Sequence, residues 1–192
     1  MPKLGMEPIR RAALVNATIQ EIGAVGSLDV TVSKIAKRAG MSSALAHHYF
    51  GGKDQIFLAA MRQTLSDYGR EIRSALATAH TPHARVEAVI RASFTSSNFR
   101  TEVIAAWLNF YVLAQTSKGA QRLLHIYQRR LHSNLCHDLR PLVGDRADAV
   151  AGMLAALIDG IYLRRGLQDK SGLQGGAADE VLAVLSRELE TK

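Results

Sequence analysis

The chain has 192 residues, 47% of them hydrophobic, so it can bury a sizeable core and wholesale disorder is excluded. Aromatic residues make up only 6% and there are four prolines, while alanine and leucine abound, which favours helix over sheet. The single cysteine, Cys136, excludes a disulfide framework and a thiolate metal cluster, and the net charge of +7 permits an anionic partner such as nucleic acid without proving one.

The N-terminal sequence predicts a protein that stays in the cytoplasm. The stretch MPKLGMEPIRR lacks the apolar run of a signal peptide, and no stretch of about 18 apolar residues predicts a membrane span. A lone cysteine also suits a reducing compartment. We therefore expect a cytoplasmic protein.

A first amphipathic helix is predicted over residues 8–24. Its apolar positions recur at helical spacing and form one stripe, which comprises Ile9, Ala13, Leu14, Ala17, Ile22 and Val25. Gly26 follows and predicts the end of the helix. We expect the stripe to face the core.

Residues 32–50 have the spacing of a helix-turn-helix. Thr31 or Ser33 can cap a second helix, Gly40 ends it in a left-handed conformation, and Ser42 caps a third helix at about residues 43–49. The inner face of the second helix has the i, i+3, i+4, i+7 spacing and is formed by Val32, Ile35, Ala36 and Ala39. Such joints occur in many helical proteins, so spacing alone leaves an ordinary structural joint open, while the small inner residues and a basic outer face favour DNA binding.

Positive charge is concentrated in this part of the chain. Residues 1–53 hold seven basic side chains against three acidic ones, a net charge of +4. The basic residues are Lys3, Arg10, Arg11, Lys34, Lys37, Arg38 and Lys53. They either attract a polyanion or form a solvated face.

Beyond residue 53 the pattern is helical to the end. Helices are predicted near residues 53–78, 83–97, 101–116, 119–139, 145–169 and 177–190, separated by breaks at residues 81–82, 117–119, 141–145 and 171–176. The sequence therefore predicts an all-α fold with two domains. These are a small basic three-helix head (residues 1–52) and a larger helical body (residues 53–192).

The head resembles the TetR family of bacterial repressors. The residues that carry the motif are Thr31, Ile35, Ala36, Ala39, Gly40, Ser42, Tyr49, Phe50 and Lys53. Three further segments, MPKLGM followed by IRR, HHYFGGKD, and AALIDGIYLRRGL at residues 155–167, resemble the members of this family that sense choline and repress genes for glycine-betaine synthesis. Two positions depart from the family pattern: Ala44 stands where glycine is usual and His47 where tyrosine is frequent, so the resemblance does not fix the operator sequence.

The resemblance implies a homodimeric transcriptional repressor rather than an enzyme. It would bind double-stranded operator DNA in the bacterial nucleoid and control genes for choline-to-glycine-betaine synthesis and choline uptake. The two subunits would pair through helices of about residues 119–139 and 145–169. Choline would act as effector and change the separation of the two heads, with no cofactor and no metal.

The DNA contacts follow from the geometry of the motif, in which the second helix of the pair enters the major groove. Residues 43–48 would lie nearest the bases, with ring N–H donors from two histidines, while Tyr49 and Lys53 match family positions that contact phosphate. The residues expected to contact DNA are Thr31, Ser33, Lys34, Ser42, Ser43, Ala44, Leu45, His47, His48, Tyr49 and Lys53. Adjacent histidines on a helix point about 100° apart, so they do not predict a metal site.

A choline site needs aromatic faces and a carboxylate, because a quaternary ammonium has no N–H to donate. Trp107 and Tyr111 are four residues apart on one face of a predicted helix, and Asp159 interrupts an apolar run and must find a partner or a cation. The residues expected at the site are Phe99, Trp107, Tyr111, Tyr127, Asp159 and Tyr162. The alternative is that the rings are core residues and that Asp159 pairs with Arg164 or with a second subunit.

Three other functions stay open at this point. A repressor of a multidrug efflux gene would sense lipophilic cations through the same residue types. A hydrolase would use Cys136 with His137 or His132, although no nucleophile elbow accompanies them. A helical protein-interaction module would show no salt-dependent affinity for DNA.

Overall fold

The computed structural model describes residues 6–167 and 176–190, which are helical apart from short connections. These two ranges contain no β-strand, so the prediction of an all-α protein is confirmed. The helices are α1 (Met6–Val25), α2 (Val32–Arg38), α3 (Ser43–Phe50), α4 (Lys53–Ala77), α5 (Pro82–Ser93), α6 (Thr101–Thr116), α7 (Lys118–Val143), α8 (Ala147–Gly166) and α9 (Ala177–Glu190), with a 3-10 turn at Gly144–Arg146.

Two predicted helix ends are wrong. α5 ends at Ser93 rather than near residue 97, because polar side chains of the following segment bond to Glu71 instead of extending the helix. α7 was expected to end at residue 139 but continues through Pro141 to Val143. The proline lies in the exposed last turn, where the loss of one backbone donor disturbs the helix least. Of the predicted break at 171–176, only Gly176 lies within the described residues.

The chain forms two compact units, and the first contains α1, α2, α3, α4 as far as Leu65, α6, and α7 as far as Leu123. Its core is built from small and branched side chains of the first four helices and the connection after α1; it includes Leu14, Ala17, Ile22, Val30, Ile35, Ala36, Ala46, Ile56 and Phe57. The predicted stripe of α1 is only partly buried. Burial spans Leu14–Ile22, while Ile9 and Val25 near the helix ends are 61% and 44% exposed.

α6 packs closely against α1 within this unit. A Cβ atom on Gly23 would lie 2.4 Å from the Cβ and 2.5 Å from the Cα of Glu102. Only glycine fits there, because any side chain would force the two helix backbones apart.

The second unit contains the rest of α4 and α7 together with α5, α8 and α9. α9 packs against both α5 and α8. Arg85 Nε donates to the buried carboxylate of Asp138 at 2.9 Å, and Arg146 Nη1 donates to Glu188 at 3.0 Å. These two ion pairs join α5 to α7 and the 3-10 turn before α8 to α9.

The domain boundary predicted between residues 52 and 53 separates a DNA-binding head from a body that binds ligand and forms the dimer. This boundary stays a prediction. Packing divides the chain differently, since α6 joins α1 in the first unit and α4 supplies side chains to both units.

Candidate functional site

α2 is capped at both ends, and its C-terminal cap forms the turn that leads to α3. Thr31 is the N-cap of α2, and its side-chain oxygen accepts the Lys34 N–H at 3.2 Å. After α2, Gly40 has φ +68°, the Met41 N–H donates to the Ala36 carbonyl at 2.9 Å, and the Gly40 N–H donates to the Lys37 carbonyl at 3.1 Å. This pair of bonds is a Schellman motif and needs the left-handed residue that glycine supplies. The predicted cap and stop signals are confirmed.

α3 is held by one face and leaves the other open. Ser42 caps it by accepting the Leu45 N–H at 3.2 Å. Ala46 is fully buried against the first-unit core, and Tyr49 and Phe50 are half-buried against the same core. Ala44, His47 and His48 on the opposite side are exposed. A helix of 8 residues is too short to be stable alone, so packing of the Ala46 side supports it.

The residues predicted to contact DNA are all accessible in the structure. The exposed ones are Thr31, Ser33, Lys34, Ser42, Ala44, His47, His48 and Lys53, and the half-buried ones are Ser43, Leu45 and Tyr49. Thr31 and Ser42 use only an oxygen lone pair for capping, so each hydroxyl proton can still be donated to a phosphate. Contact of these residues with DNA stays a prediction.

The His47 ring contacts the backbone at the end of α3. Its Nδ1 lies 3.2 Å from the carbonyl oxygen of Gly51, and because a carbonyl only accepts, Nδ1 carries the proton. In the neutral ring Nε2 is then an acceptor. While this hydrogen bond is kept, neutral His47 would accept from the amino group of cytosine or adenine. Its expected donation of a ring N–H to guanine or phosphate stays a prediction.

Two arginines of α1 lie against the end of α3. The Arg11 Cζ atom lies 5.5 Å from the centroid of the Tyr49 ring and 5.1 Å from that of Phe50, and Arg10 Nη1 lies 3.5 Å from the Tyr49 hydroxyl. Sequence reasoning counted both arginines only as net charge. Their signal was the concentration of basic residues on α1, but the contact spans 39 residues of chain and cannot be read from local spacing.

The second unit contains a partly buried cluster of two tyrosines around one carboxylate, in which Tyr127 is buried and Tyr68 and Asp159 are half-buried. The Tyr127 hydroxyl donates to Asp159 Oδ1 at 2.7 Å, and the Tyr68 ring meets the Tyr127 ring edge-on at 5.5 Å between centroids. The Tyr68 hydroxyl lies 2.9 Å from Ser93 Oγ. Asp159 thus has a tyrosine as partner, rather than Arg164 of the alternative considered from sequence.

Burial perturbs the ionisation of this cluster. Desolvation raises the pKa of Asp159, and the hydrogen bond from Tyr127 offsets part of that rise. Desolvation likewise raises the pKa of Tyr68, so its phenol stays protonated. The cluster is therefore partly desolvated, and the hydrogen bond from Tyr127 does not fully compensate a negative charge on Asp159.

Phe99 and Tyr162 form a neighbouring aromatic pair in the same unit. Their ring centroids are 5.2 Å apart, and Phe94 stacks on Phe99 at 6.3 Å. The Tyr162 hydroxyl donates to the Asn98 carbonyl at 2.8 Å, and Asn98 Nδ2 donates to Glu71 at 3.1 Å. The structure therefore groups Phe99 with Tyr162 and Tyr127 with Asp159.

Trp107 and Tyr111 lie in α6 and belong to the first unit. Their ring centroids are 6.1 Å apart, which confirms that they share one helix face. The predicted set of six residues is thus divided between the two units, with four in the second.

Tyr68 and Glu71 were missed by sequence reasoning. Both lie on α4, where a helical pattern of mixed polarity gives no sign that one turn is buried among aromatic and hydroxyl groups. Their contacts come from residues more than 20 positions away in the sequence, so no local spacing identifies them.

Neither a catalytic cysteine nor a metal centre emerges from the described part of the chain. Cys136 is buried, and the ring of His137 bonds to Asp138 at 2.9 Å rather than to the thiol. Residues 6–167 and 176–190 hold no group of three or more histidine, cysteine or acidic side chains arranged to bind a metal. In the same ranges no helix combines the length and the apolar character needed to cross a membrane.

Sequence comparison finds two matching profiles and many relatives. The profile of bacterial regulatory proteins of the tetR family matches residues 14–60, and that of the C-terminal part of BetI-type transcriptional repressors matches residues 82–191. The HTH-type transcriptional regulator BetI of Brucella suis is 54% identical over 168 residues, 87% of this chain and 85% of that protein. The regulator BetI of Agrobacterium fabrum is 51% identical over 169 residues, 88% of this chain and 82% of that protein.

Solved structures share the fold. A transcriptional regulator from Pseudomonas aeruginosa PAO1 matches with a TM-score of 0.85 and 25% identity, covering 98% of this chain and 94% of that one. A regulator from Saccharomonospora viridis, solved in complex with choline, matches with a TM-score of 0.77 and 21% identity, covering 95% and 96%. At 21% identity the second likeness concerns the fold alone.

Proposed function

This chain belongs to the TetR family of bacterial transcriptional repressors and has a C-terminal domain of the BetI type, and from that premise we propose that it represses genes for choline uptake and glycine-betaine synthesis and is released from its operator by choline. It is a regulator and not an enzyme. Regulators of this family bind operator DNA and form dimers. The ligand, the target genes and the site residues are the proposed part.

The observation that carries the choline role is the tyrosine-bound carboxylate of Asp159. An ionised carboxylate in a desolvated site is costly unless a cation joins it, and the raised pKa of Asp159 expresses that cost. Tyr127 and Tyr68 present aromatic rings beside it, and a cation over such a ring gains about 0.5–2 kcal/mol. Choline fits this chemistry, since it brings a permanent charge that needs no hydrogen-bond acceptor.

Two further considerations favour choline over other cations. The relatives named BetI are more than half identical to this chain over most of its length. The regulator from Saccharomonospora viridis has the same fold and was solved in complex with choline, which supports the proposal. Phe99 and Tyr162 form a second pair of aromatic faces in the same unit and stay candidates for the site. Trp107 and Tyr111 stay candidates as well.

We place the dimer contact on α8, flanked by α7. One side of α8 carries exposed or half-buried residues that recur every three or four positions and are apolar or small: Ala149, Met153, Ala156, Gly160 and Leu163, continued by Leu167 just after the helix. Nothing lies within 4 Å of a Cβ added at Gly160, so this side is open in the single chain. Exposed positions of α7 are mostly polar, several of them charged as at Arg122 and Arg129, which suits the margin of an interface better than its centre.

Release would act through α4. This helix supplies Phe57 to the core of the first unit and Tyr68 to the tyrosine cluster of the second. A cation that engages Asp159 and the rings around it changes the packing of Tyr68, and a continuous helix transmits the change toward the head. The two recognition helices of a dimer must lie about 34 Å apart to enter successive major grooves. A modest pivot of α4 that changes this separation is therefore enough to weaken operator binding. Choline needs only unequal affinity for the two arrangements.

The test is the fluorescence anisotropy of a labelled promoter fragment from the betaine genes. Binding that is weakened by choline supports the proposal. Release by bulky lipophilic cations but not by choline would replace it with the efflux-regulator function while DNA binding stands. If neither choline nor the lipophilic cations change the affinity for DNA, the tyrosine cluster has no effector role.

A further inference from the structure

Two arginines of α1, Arg10 and Arg11, lie against the last turn of α3. Arg10 Nη1 lies 3.5 Å from the hydroxyl oxygen of Tyr49. The guanidinium of Arg11 covers the rings of Tyr49 and Phe50 at 5.5 and 5.1 Å. α1 therefore lines one end of the surface that α3 exposes.

The two arginines differ in their charge balance. Arg11 Nε donates to Glu7 at 2.8 Å, so its charge is locally neutralised and its guanidinium mainly fixes the ring planes below it. Arg10 has no carboxylate within ion-pair distance among the described residues; its neighbour is the Tyr49 hydroxyl. A half-buried guanidinium held beside a neutral hydroxyl retains its full attraction for an external anion.

We propose that Arg10 and Tyr49 together bind one backbone phosphate of the operator. The Arg10 N–H donates to the tyrosine oxygen, which leaves the phenol proton to be donated outward. A hydroxyl that accepts a charge-assisted bond is a stronger donor itself. The remaining N–H groups of the guanidinium fork can reach a second oxygen of the same phosphate, a bidentate arrangement that suits a phosphodiester.

This inference depends on the proposed DNA binding and adds a residue and a pairing to it. The sequence predicted a phosphate contact for Tyr49 without Arg10, and because a phenol carries no charge, that contact by itself would release no counterion. Arg10 supplies the missing charge. The pair therefore predicts an electrostatic signature that a hydroxyl contact or a packing role for Tyr49 would not produce.

The experiment measures operator affinity against salt for the full-length dimer. Each phosphate neutralised contributes about 0.9 to the slope of log affinity against log salt. Arg10→Gln removes one contact per head, so we expect the slope to shrink by about 1.8 per dimer. The affinity ratio of wild type to variant should then fall about tenfold between about 50 and about 200 mM salt.

Lys37→Gln is the matched control, since it removes the same charge from an exposed position in the last turn of α2. A slope change as large as that of Arg10→Gln would overturn the proposal, because the effect would then be long-range attraction. Arg10→Lys should retain the slope and lose part of the affinity, since it keeps the charge but not the fork.

A double-mutant cycle tests the pairing itself. If one phosphate is shared, Arg10→Gln should cost at least several-fold less affinity in a Tyr49→Phe background than in the wild type. Thermal unfolding without DNA should be nearly unchanged in each variant. Additive losses, or an unaltered slope in Arg10→Gln while the wild type binds its operator, would overturn the pair and leave the proposed function intact. Absence of salt-dependent binding by the wild type would overturn the proposed function first.

Discussion

Replacement of Asp159 by asparagine isolates the contribution of one charge to effector binding. The amide keeps an oxygen that can accept the 2.7 Å hydrogen bond from Tyr127, so the packing of the tyrosine cluster is preserved. What disappears is the negative charge that would face the quaternary ammonium. The variant therefore separates electrostatic attraction from aromatic contact.

The magnitude follows from the distance and the surroundings. Two unit charges about 4 Å apart attract by about 4 kcal/mol at an effective dielectric constant of about 20. Desolvation of the carboxylate, which already raises its pKa, offsets part of that attraction. A net loss of about 1.4–2.8 kcal/mol is expected, which is a 10- to 100-fold weaker affinity for choline.

The affinity for choline should also depend on pH in the wild type and not in the variant. Choline has a permanent charge, so only Asp159 titrates within the site. Protonation of Asp159 removes the attraction, and because burial raises its pKa, affinity should begin to fall at a higher pH than an ordinary carboxyl would cause. Calorimetric titration between about pH 5 and about pH 8 measures this.

The free energy of unfolding gives an independent check on the direction of the Asp159 pKa shift. A folded-state pKa above the unfolded value means that the native protein holds this proton more tightly, so the stabilisation is complete below the unfolded pKa and is lost as pH rises through the folded pKa. Asp159→Asn should therefore be at least as stable as the wild type at neutral pH without ligand. Equal choline affinity in the two proteins, or a variant that is much less stable at neutral pH, would refute the reasoning.

Three further predictions concern packing. Gly23→Ala should lower the free energy of unfolding by about 1–3 kcal/mol through its clash with the α6 backbone, whereas Gly52→Ala, with nothing within 4 Å of the added Cβ, should change it little in denaturant unfolding. Glu71→Ala should cost about 2–3 kcal/mol in the same assay, because it removes the acceptor of three side-chain hydrogen bonds; a cost below about 0.5 kcal/mol would contradict the network. Met153→Arg should shift the dimer toward monomer in sedimentation, and Ser74→Arg on the exposed side of α4 should not; equal effects would remove α8 from the interface.

The head was predicted well because its signals are local. Thr31, Gly40 and Ser42 act on backbone groups within five residues, so capping and turn chemistry could be read directly from the sequence. The same holds for Trp107 and Tyr111, whose contact follows from helical spacing.

The tyrosine cluster could be predicted only in part. Asp159 was identified because it interrupts an apolar run, but its bond to Tyr127 joins residues 32 positions apart, and Tyr68 comes from a third helix. Hydrophobic periodicity predicts which face of each helix is buried, but it does not predict which faces pack against each other. Which faces meet depends on tertiary packing. For the same reason periodicity wrongly predicted that Ile9 faces the core, whereas it is exposed.

The most direct test of the account is a titration of labelled betaine-gene promoter DNA with the dimer at about 50 and about 200 mM salt, with and without saturating choline. We predict tight binding that weakens steeply with salt and weakens further when choline is added, while Asp159→Asn binds the same DNA but responds to choline only at much higher concentrations. Binding that ignores both salt and choline, or a variant released as readily as the wild type, would contradict the account.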